Sequence, residues 1–112
     1  MTTEQQSIHE RLKTVARAGQ TTHYSDIAPL AGLDMSSEVD RIRIAQILDG
    51  ISRGEHEQGK PLLSAVVILK DENVPGSGFF DLAGDLGLYA GGDDLLFWVS
   101  ELRRVHDHWS QT

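Results

Sequence analysis

The sequence predicts an α+β fold that is mostly helical and forms one domain over residues 1–112. Three long segments place apolar residues three and four positions apart, which is the spacing of an amphipathic helix. One short run, Leu62–Leu69, is continuously apolar and rich in β-branched residues, which indicates a buried strand. Glycine and proline separate these segments. The combination favours helices that pack around a small sheet.

The composition is typical of a globular protein. The chain has 112 residues, of which 39% are hydrophobic and 24% charged, so it can bury a core of its own. It contains no cysteine, which excludes disulfides, thiolate catalysis and cysteine-bound zinc. No apolar run approaches the roughly 20 residues that cross a bilayer, and the polar start does not resemble a signal peptide. We therefore expect a cytoplasmic protein.

The two terminal segments are predicted to be helices that pack against each other. The first runs from about Thr3 to Ala18, with Thr3 or Ser7 as its N-cap, and stops at Gly19. The last runs from about Asp93 to Trp109, with Asp93 or Asp94 as its N-cap. Apolar side chains three and four positions apart form one narrow seam on this helix: Leu95, Trp98, Leu102, Val105 and Trp109.

A helix-turn-helix pattern lies between the terminal helices. Ser25 is predicted to cap a short helix that carries Pro29 in its early turns and ends at Gly32. A longer helix over about Ser37–His56 follows, capped by Ser36 or Ser37. A short helix, a glycine-containing turn and a second helix form the helix-turn-helix motif. One apolar stripe of the longer helix is expected to face the core. It consists of Val39, Ile42, Leu48 and Ile51 and is widened by Ile44, Ala45 and Ile47.

The segment after the long helix is predicted to supply the wing of a winged helix-turn-helix. Gly59–Pro61 ends the helix, and Leu62–Leu69 follows as the interior strand. A polar turn and a glycine- and proline-rich loop over Val74–Phe80 come next. A second strand or a loop there would complete a β-hairpin or small sheet, and Phe79–Leu86 is compatible with a short helix.

The sequence contains no recognisable catalytic or metal-binding constellation. The histidines fall on separate elements or, for His106 and His108, two positions apart on one helix, where they do not share a face. Gly76–Gly78 lacks the spacing of a phosphate-binding loop and favours a tight turn that needs glycine dihedral angles. No nucleophile-elbow sequence surrounds Ser64 or Ser77. We predict a protein that is not an enzyme and binds neither a metal nor a cofactor.

Basic residues on and near the longer helix, which would be the recognition helix of the motif, form the candidate nucleic-acid surface. Arg41 and Arg43 lie near its start, the part of a recognition helix that contacts bases, and Lys60 and Lys70 flank the strand. Acidic neighbours on the same helix make an ion-paired, solvated face an equal explanation. The net charge of −7 also opposes non-specific affinity for DNA.

The last helix carries the candidate partner interface. Besides its seam it has a second apolar side, and a helix that is apolar on two sides packs deeply or meets a partner. Trp98, Leu102 and Trp109 are the predicted contacts for a partner protein or a second copy of the chain. Aromatic residues at helical spacing are equally typical of a core.

Three stretches give the middle of the chain a family resemblance. They are Gly19–Ala28 with its threonine, tyrosine and isoleucine-alanine, Arg43–Leu48 with its leading arginine, and the strand Ala65–Asp71 followed by Gly76–Phe79. Over residues 19–80 they resemble the DNA-binding domain of the alkylguanine-DNA alkyltransferases and the alkyltransferase-like proteins.

This resemblance implies a winged helix-turn-helix that binds DNA. It implies that Tyr24 handles a phosphate and that Arg43 fills the gap left by a flipped base. The family's reactive proline-cysteine-histidine-arginine sequence is replaced here by Leu62–Ala65. Alkyl transfer to a thiolate is therefore not part of what the resemblance implies.

Taken together, these features predict a non-enzymatic winged-helix module of the bacterial cytoplasm. It would bind double-stranded DNA, or a DNA-associated protein, through Tyr24, Arg41, Arg43, Lys60 and Lys70. The alternative is an acidic adaptor that binds a protein partner or forms a homodimer and does not bind nucleic acid.

Overall fold

The computed structural model describes residues 2–111, in which five α-helices surround a short interior segment. In chain order the elements are α1 (Thr3–Arg17), β1 (Thr22–His23), α2 (Tyr24–Ile27), a first 3-10 helix (Ala28–Ala31), α3 (Glu38–Glu57), a second 3-10 helix (Leu63–Val66), β2 (Val67–Ile68), α4 (Ser77–Asp85) and α5 (Asp94–Ser110). β1 and β2 are parallel and pair Thr22 with Val67 and His23 with Ile68. The predicted α+β class, mostly helical with a small sheet, is confirmed.

Two of the four predicted N-caps are found in the structure. The side chains of Ser37 and Asp93 accept hydrogen bonds from the backbone at the start of α3 and α5, as expected of N-caps. The cap of α1 is Thr2 rather than Thr3 or Ser7. The short helix starts at Tyr24, one residue before the predicted cap Ser25.

The segment Leu62–Leu69 lies in the interior, but most of it is not a strand. Only Val67 and Ile68 pair with another strand, and Leu63–Val66 turns into a 3-10 helix. The predicted eight-residue strand is therefore wrong. The physical reason is that side chains from two helices satisfy the backbone of this segment, so it does not need neighbouring strands.

Three such side chains hold the interior segment in place. Glu101 accepts a hydrogen bond from the Leu62 N–H at 2.8 Å, and the Ser52 hydroxyl accepts one from the Ser64 N–H at 3.0 Å. The Trp98 indole donates to the Ala65 carbonyl at 2.8 Å. The segment is thus fixed between α3 and α5.

The predicted β-hairpin wing does not form within residues 2–111. After β2 the chain makes a tight turn in which the Leu69 N–H donates to the Val74 carbonyl and the Asn73 N–H to the Leu69 carbonyl, both at 2.8 Å. It then enters helix α4 where a second strand was expected. α2 with the first 3-10 helix, a turn at Gly32 and α3 follow one another in the order predicted for the helix-turn-helix segment.

The core-facing stripe of α3 is only part of the predicted one. The side chains of Val39 and Ile42 are 74% and 55% exposed, because the first turns of α3 extend past the elements on which it packs. Those elements are the second 3-10 helix, α4 and α1. The α3 contribution to the apolar core comes from Ile44, Ile47, Leu48 and Ile51.

The terminal helices pack together, as predicted, and close the other side of the core. α1 buries Ile8, Leu12 and Ala16, and α5 buries Val105 together with both tryptophans. Within residues 2–111 no helix combines the length and apolarity needed to cross a membrane.

Candidate binding pocket

A pocket of about 320 Å³ opens between the start of α2, the first half of α3 and the start of α4. We call it the α3–α4 pocket. Aliphatic and aromatic side chains form most of its walls, and a few polar groups converge on it. The lining residues that matter below are Tyr24, Arg41, Ala45, Ser64, Gly76 and Phe79. Such a concave apolar site with few polar groups is the usual form of a binding pocket.

Tyr24 connects the helix-turn-helix to the loop in front of α4. Its hydroxyl oxygen accepts a hydrogen bond from the Gly76 N–H at 3.0 Å, so the phenolic proton is available to an acceptor in the pocket. Burial raises the pKa of Tyr24, partly offset by the Gly76 hydrogen bond. The side chain is therefore a neutral donor at neutral pH.

Gly76 matters here because it has no side chain, and not because its backbone conformation is unusual. The sequence pattern favoured glycine dihedral angles in the Gly76–Gly78 loop, but Gly76 has a φ of −70° and no glycine of this loop has a positive φ. A Cβ at Gly76 would lie 3.2 Å from the Tyr24 hydroxyl. The missing side chain is what lets the loop approach Tyr24.

Arg41 supplies the positive charge of the pocket wall. Its Nη1 donates to the Met35 carbonyl at 2.9 Å, which fixes the exposed guanidinium beside the pocket. On the other side of the pocket Arg53 bridges two carboxylates, with Nε 2.7 Å from Asp49 and Nη2 3.0 Å from Asp85. This bridge connects α3 to α4.

Ser64 is a buried residue of the pocket wall, and its surroundings do not activate it as a nucleophile. Its hydroxyl accepts a hydrogen bond from Ser52 at 2.6 Å. A nucleophilic serine needs an adjacent base such as histidine or a carboxylate, and among the hydrogen bonds of residues 2–111 Ser64 has no such partner. The hydrogen-bonded pair of Ser52 and Ser64 is suited to forming part of the wall of a binding pocket.

The predicted nucleic-acid residues do not form one surface. Tyr24 and Arg41 both line the pocket. Arg43 and Lys70 are exposed, and each is adjacent in the chain to a residue that lines the pocket. Lys60 lies beyond the other end of α3, 3.9 Å from Glu55 and 5.4 Å from the centre of the Trp109 ring. Roughly 24 Å of helix separates Arg41 from that end, so Lys60 belongs to a different region.

The predicted partner residues are mostly interior. Trp98 and Trp109 are buried in the chain's own core and Leu102 is half-buried. The two rings are therefore not available to a partner, because α1 and the second 3-10 helix cover this side of α5. The exposed apolar side of α5 is instead formed by Leu95, Leu96 and Val99.

Sequence reasoning missed a buried polar pair between α1 and α3. His9 Nε2 lies 2.6 Å from Glu55 Oε1, and the Glu55 side chain is almost completely buried. Lys13, Arg17 and Lys60 all lie within 6 Å of the nearby Trp109 ring. No short-range pattern links these residues, since they come from three separate segments.

Within residues 2–111 no three acidic or histidine side chains are grouped closely enough to hold a metal ion. Comparison with known proteins adds no family: the chain matches no family model, no curated protein and no solved structure.

Proposed function

We propose that this protein is a non-enzymatic protein-interaction module whose α3–α4 pocket receives an apolar side chain from a basic segment of a partner. The observation that carries the proposal is an open apolar pocket formed by elements that carry more carboxylates than cations. The proposal corresponds to the second of the two functions that the sequence predicts.

The size of the pocket favours a single side chain as its occupant. Pockets for drug-sized ligands and cofactors span about 300–1,000 Å³, and this one, at about 320 Å³, is at the lower limit. A leucine, methionine or phenylalanine anchor matches that space. Burying such an anchor contributes about 1.5–3 kcal/mol.

The charges around the pocket favour a basic partner over DNA. The elements that form its rim, α3 up to Arg53 and the chain from Lys70 through α4, carry more carboxylates than cations. The carboxylates are Glu38, Asp40, Asp49, Asp71, Glu72, Asp81 and Asp85, and the cations are Arg41, Arg43, Arg53 and Lys70. Complementary charge steers association and excludes partners of like charge, so phosphates are disfavoured here.

The polar groups of the pocket suit the backbone of a bound segment. Tyr24 can donate its hydroxyl proton and Arg41 its guanidinium protons, and both are held by bonds to backbone groups of this chain. Peptide carbonyls are their natural acceptors. Fixed donors of this kind define the orientation of the segment around its apolar anchor.

The experiment uses a lysine-rich peptide with one leucine and a matched peptide in which serine replaces that leucine. Backbone amide shifts of the full chain are followed by NMR during titration. We expect the leucine peptide to shift the pocket residues and the serine peptide to leave them unchanged. Equal shifts with both peptides, or shifts confined to another face, would overturn the proposal.

A pair of variants on α3 completes the test. Ala45 lines the pocket and is exposed, so Ala45→Trp should fill the pocket and abolish binding of the leucine peptide. Gln46 is also exposed but does not line the pocket, so Gln46→Trp should bind as the parent does. Loss of binding in both variants, or in neither, contradicts a pocket-based interaction.

DNA binding is the second candidate, and one observation favours it. Arg43 and Gln46 lie three positions apart on the exposed side of α3, beside the exposed Val39 and Ile42. Arginine, glutamine and apolar side chains are the groups that contact guanine, adenine and the thymine methyl. The resemblance of residues 19–80 to the alkyltransferase DNA-binding domain supports the same candidate.

A gel-shift titration with a double-stranded oligonucleotide at low and high salt tests this candidate. DNA binding should weaken steeply as salt rises, and Arg41→Glu combined with Arg43→Glu should abolish it while the fold remains intact. A double variant that shifts DNA like the parent would exclude this surface.

A further inference from the structure

We propose that the outer face of α5 is a two-fold interface between two copies of this chain. Leu95, Leu96 and Val99 are 57%, 64% and 50% exposed, although an exposed helix face is normally polar. This interface is independent of the α3–α4 pocket and goes beyond the function proposed above.

The exposed apolar residues lie along one side of α5. Positions 95, 99 and 102 are separated by four and three residues, and positions 96, 99 and 103 by three and four. Both sets include Val99, so they lie on one face of the helix. The helix has 17 residues and is about 25 Å long. Val99 is its sixth residue, so an axis at Val99 overlaps residues 94–104 of the two copies.

An antiparallel copy of α5 matches this face. If the two-fold axis passes through Val99, residues equally far from Val99 in opposite directions face each other. Leu96 of one copy then meets Leu102 of the other, and the two Val99 side chains meet on the axis. The contact is isologous, as in most homodimers.

Charge complementarity singles out a second copy as the occupant. The same axis places Arg103 of one copy opposite Leu95 of the other. Next to Leu95 there is a hollow of about 340 Å³, lined also by Pro75, Trp98 and Asp94. The aliphatic part of Arg103 fits such an apolar hollow, and its guanidinium would reach Asp94.

Asp94 is already oriented for this contact. The Tyr89 hydroxyl donates to its Oδ1, which leaves Oδ2 to accept from an arginine. The pair would form twice in the dimer, once on each side of the axis. The acidic start of each α5 would also lie beside Arg103 and Arg104 of the other, and the dipoles of the two helices would point in opposite directions, which is favourable.

The dimer would present two α3–α4 pockets. Among residues 2–111, Ser77 is the one residue that lines both that pocket and the hollow, so closing the hollow leaves the other walls of the pocket uncovered. A contact made by one helix from each copy is at the small end of specific interfaces, which bury about 1,200–2,000 Å². We therefore expect a weak dimer, with a dissociation constant on the order of micromolar.

Sedimentation velocity of the full chain over a wide concentration range measures this dimer directly. We expect a reversible increase to twice the monomer mass. Val99→Asp, an exposed position, should leave the fold intact and abolish dimerisation, because it puts two carboxylates on the axis. Ser100→Asp, an exposed neighbour that lies off the contact, is the matched control and should dimerise like the parent.

Cysteine cross-linking tests the interface even if the dimer is too weak to be detected by sedimentation. The chain contains no cysteine, so Val99→Cys has a single thiol, which should form an intermolecular disulfide under mild oxidation. Ser100→Cys should form it far more slowly. A monomer that fails to cross-link at Val99→Cys, equal cross-linking by both variants, or a dimer that survives Val99→Asp would each refute the interface.

Discussion

The Tyr24 hydroxyl and the Gly76 N–H, 52 positions apart in the chain, are joined by a hydrogen bond of 3.0 Å. This bond attaches the helix-turn-helix to the start of α4 and forms one edge of the α3–α4 pocket. Two predictions follow from it, one on stability and one on the loop glycine.

Tyr24→Phe should destabilise the protein by about 1 kcal/mol, since it removes one acceptor from a partly buried N–H. The midpoint of urea unfolding measures this loss. The same variant should weaken binding of the leucine peptide, because the loop before α4 loses its attachment. Unchanged stability together with unchanged binding would mean that Tyr24 does not hold the loop.

Gly76→Ala should destabilise through Tyr24. The added Cβ would lie 3.2 Å from the Tyr24 hydroxyl, so the loop or the ring must shift. Because the two groups are in contact, we expect the effects of Gly76→Ala and Tyr24→Phe to be non-additive in a double-mutant cycle. Additive free energies of unfolding would show that the glycine is needed for another reason.

Glu101 is predicted to be a structural residue that holds the interior segment. It is buried and accepts from the Leu62 N–H, while Arg104 pairs with its other oxygen at 2.6 Å. Glu101→Ala should cost about 1–3 kcal/mol, the penalty for a buried donor without an acceptor. Thermal or urea unfolding measures it.

Two controls separate the hydrogen bond from the ion pair. Glu101→Gln keeps an oxygen for the Leu62 N–H and should retain most of the stability. Arg104→Gln should cost less than Glu101→Ala, because the Arg104 side chain is 59% exposed and water can take its place beside the carboxylate. If Arg104→Gln is as harmful as Glu101→Ala, the ion pair is the important contact.

The sequence predicted the long helices well and the interior segment poorly. Caps such as Ser37 and Asp93 act on their own first turn, so a local pattern locates them. Leu62–Leu69 is apolar throughout, and such a run does not reveal whether a strand or a turn of helix is formed. Its true conformation depends on Ser52, Trp98 and Glu101, whose contacts with it are not visible in any short window.

The candidate site was predicted only in part for the same reason. Tyr24 and Arg41 were identified individually, and both line the pocket. Ser64 and Phe79 reach it only because the interior segment and α4 pack against α3. Trp98 and Trp109 were candidates for an interface, but spacing along a helix does not tell which side the rest of the chain covers.

Leu63→Asp should unfold the domain. Leu63 has no exposed surface, and an unpaired carboxylate in such a position costs several kcal/mol, which is comparable with the total stability of a small domain. Circular dichroism and a thermal melt check this. Val39→Asp, at a position that is 74% exposed, is the control and should melt close to the parent, whereas a cooperative melt of Leu63→Asp near the parent temperature would contradict the interior placement.

The stability of the protein should fall at high pH, and Tyr89 should contribute to that fall. The hydrogen bond from its hydroxyl to Asp94, together with burial and the neighbouring carboxylates, raises the pKa of Tyr89 from 10.0 to about 12. The folded state therefore favours the protonated phenol more than the unfolded state does. This contribution to stability is complete below the ordinary pKa of tyrosine and is lost as the pH rises through the pKa of Tyr89 in the folded protein.

A variant is needed to separate the effect of Tyr89 from that of Tyr24, because burial raises the pKa of Tyr24 as well. The difference in unfolding free energy between the parent and Tyr89→Phe should be constant below pH 10.0 and shrink between pH 10.0 and about 12. Urea unfolding of both proteins across that window measures it, and a difference that stays constant would show that the Tyr89 phenol titrates alike in both states.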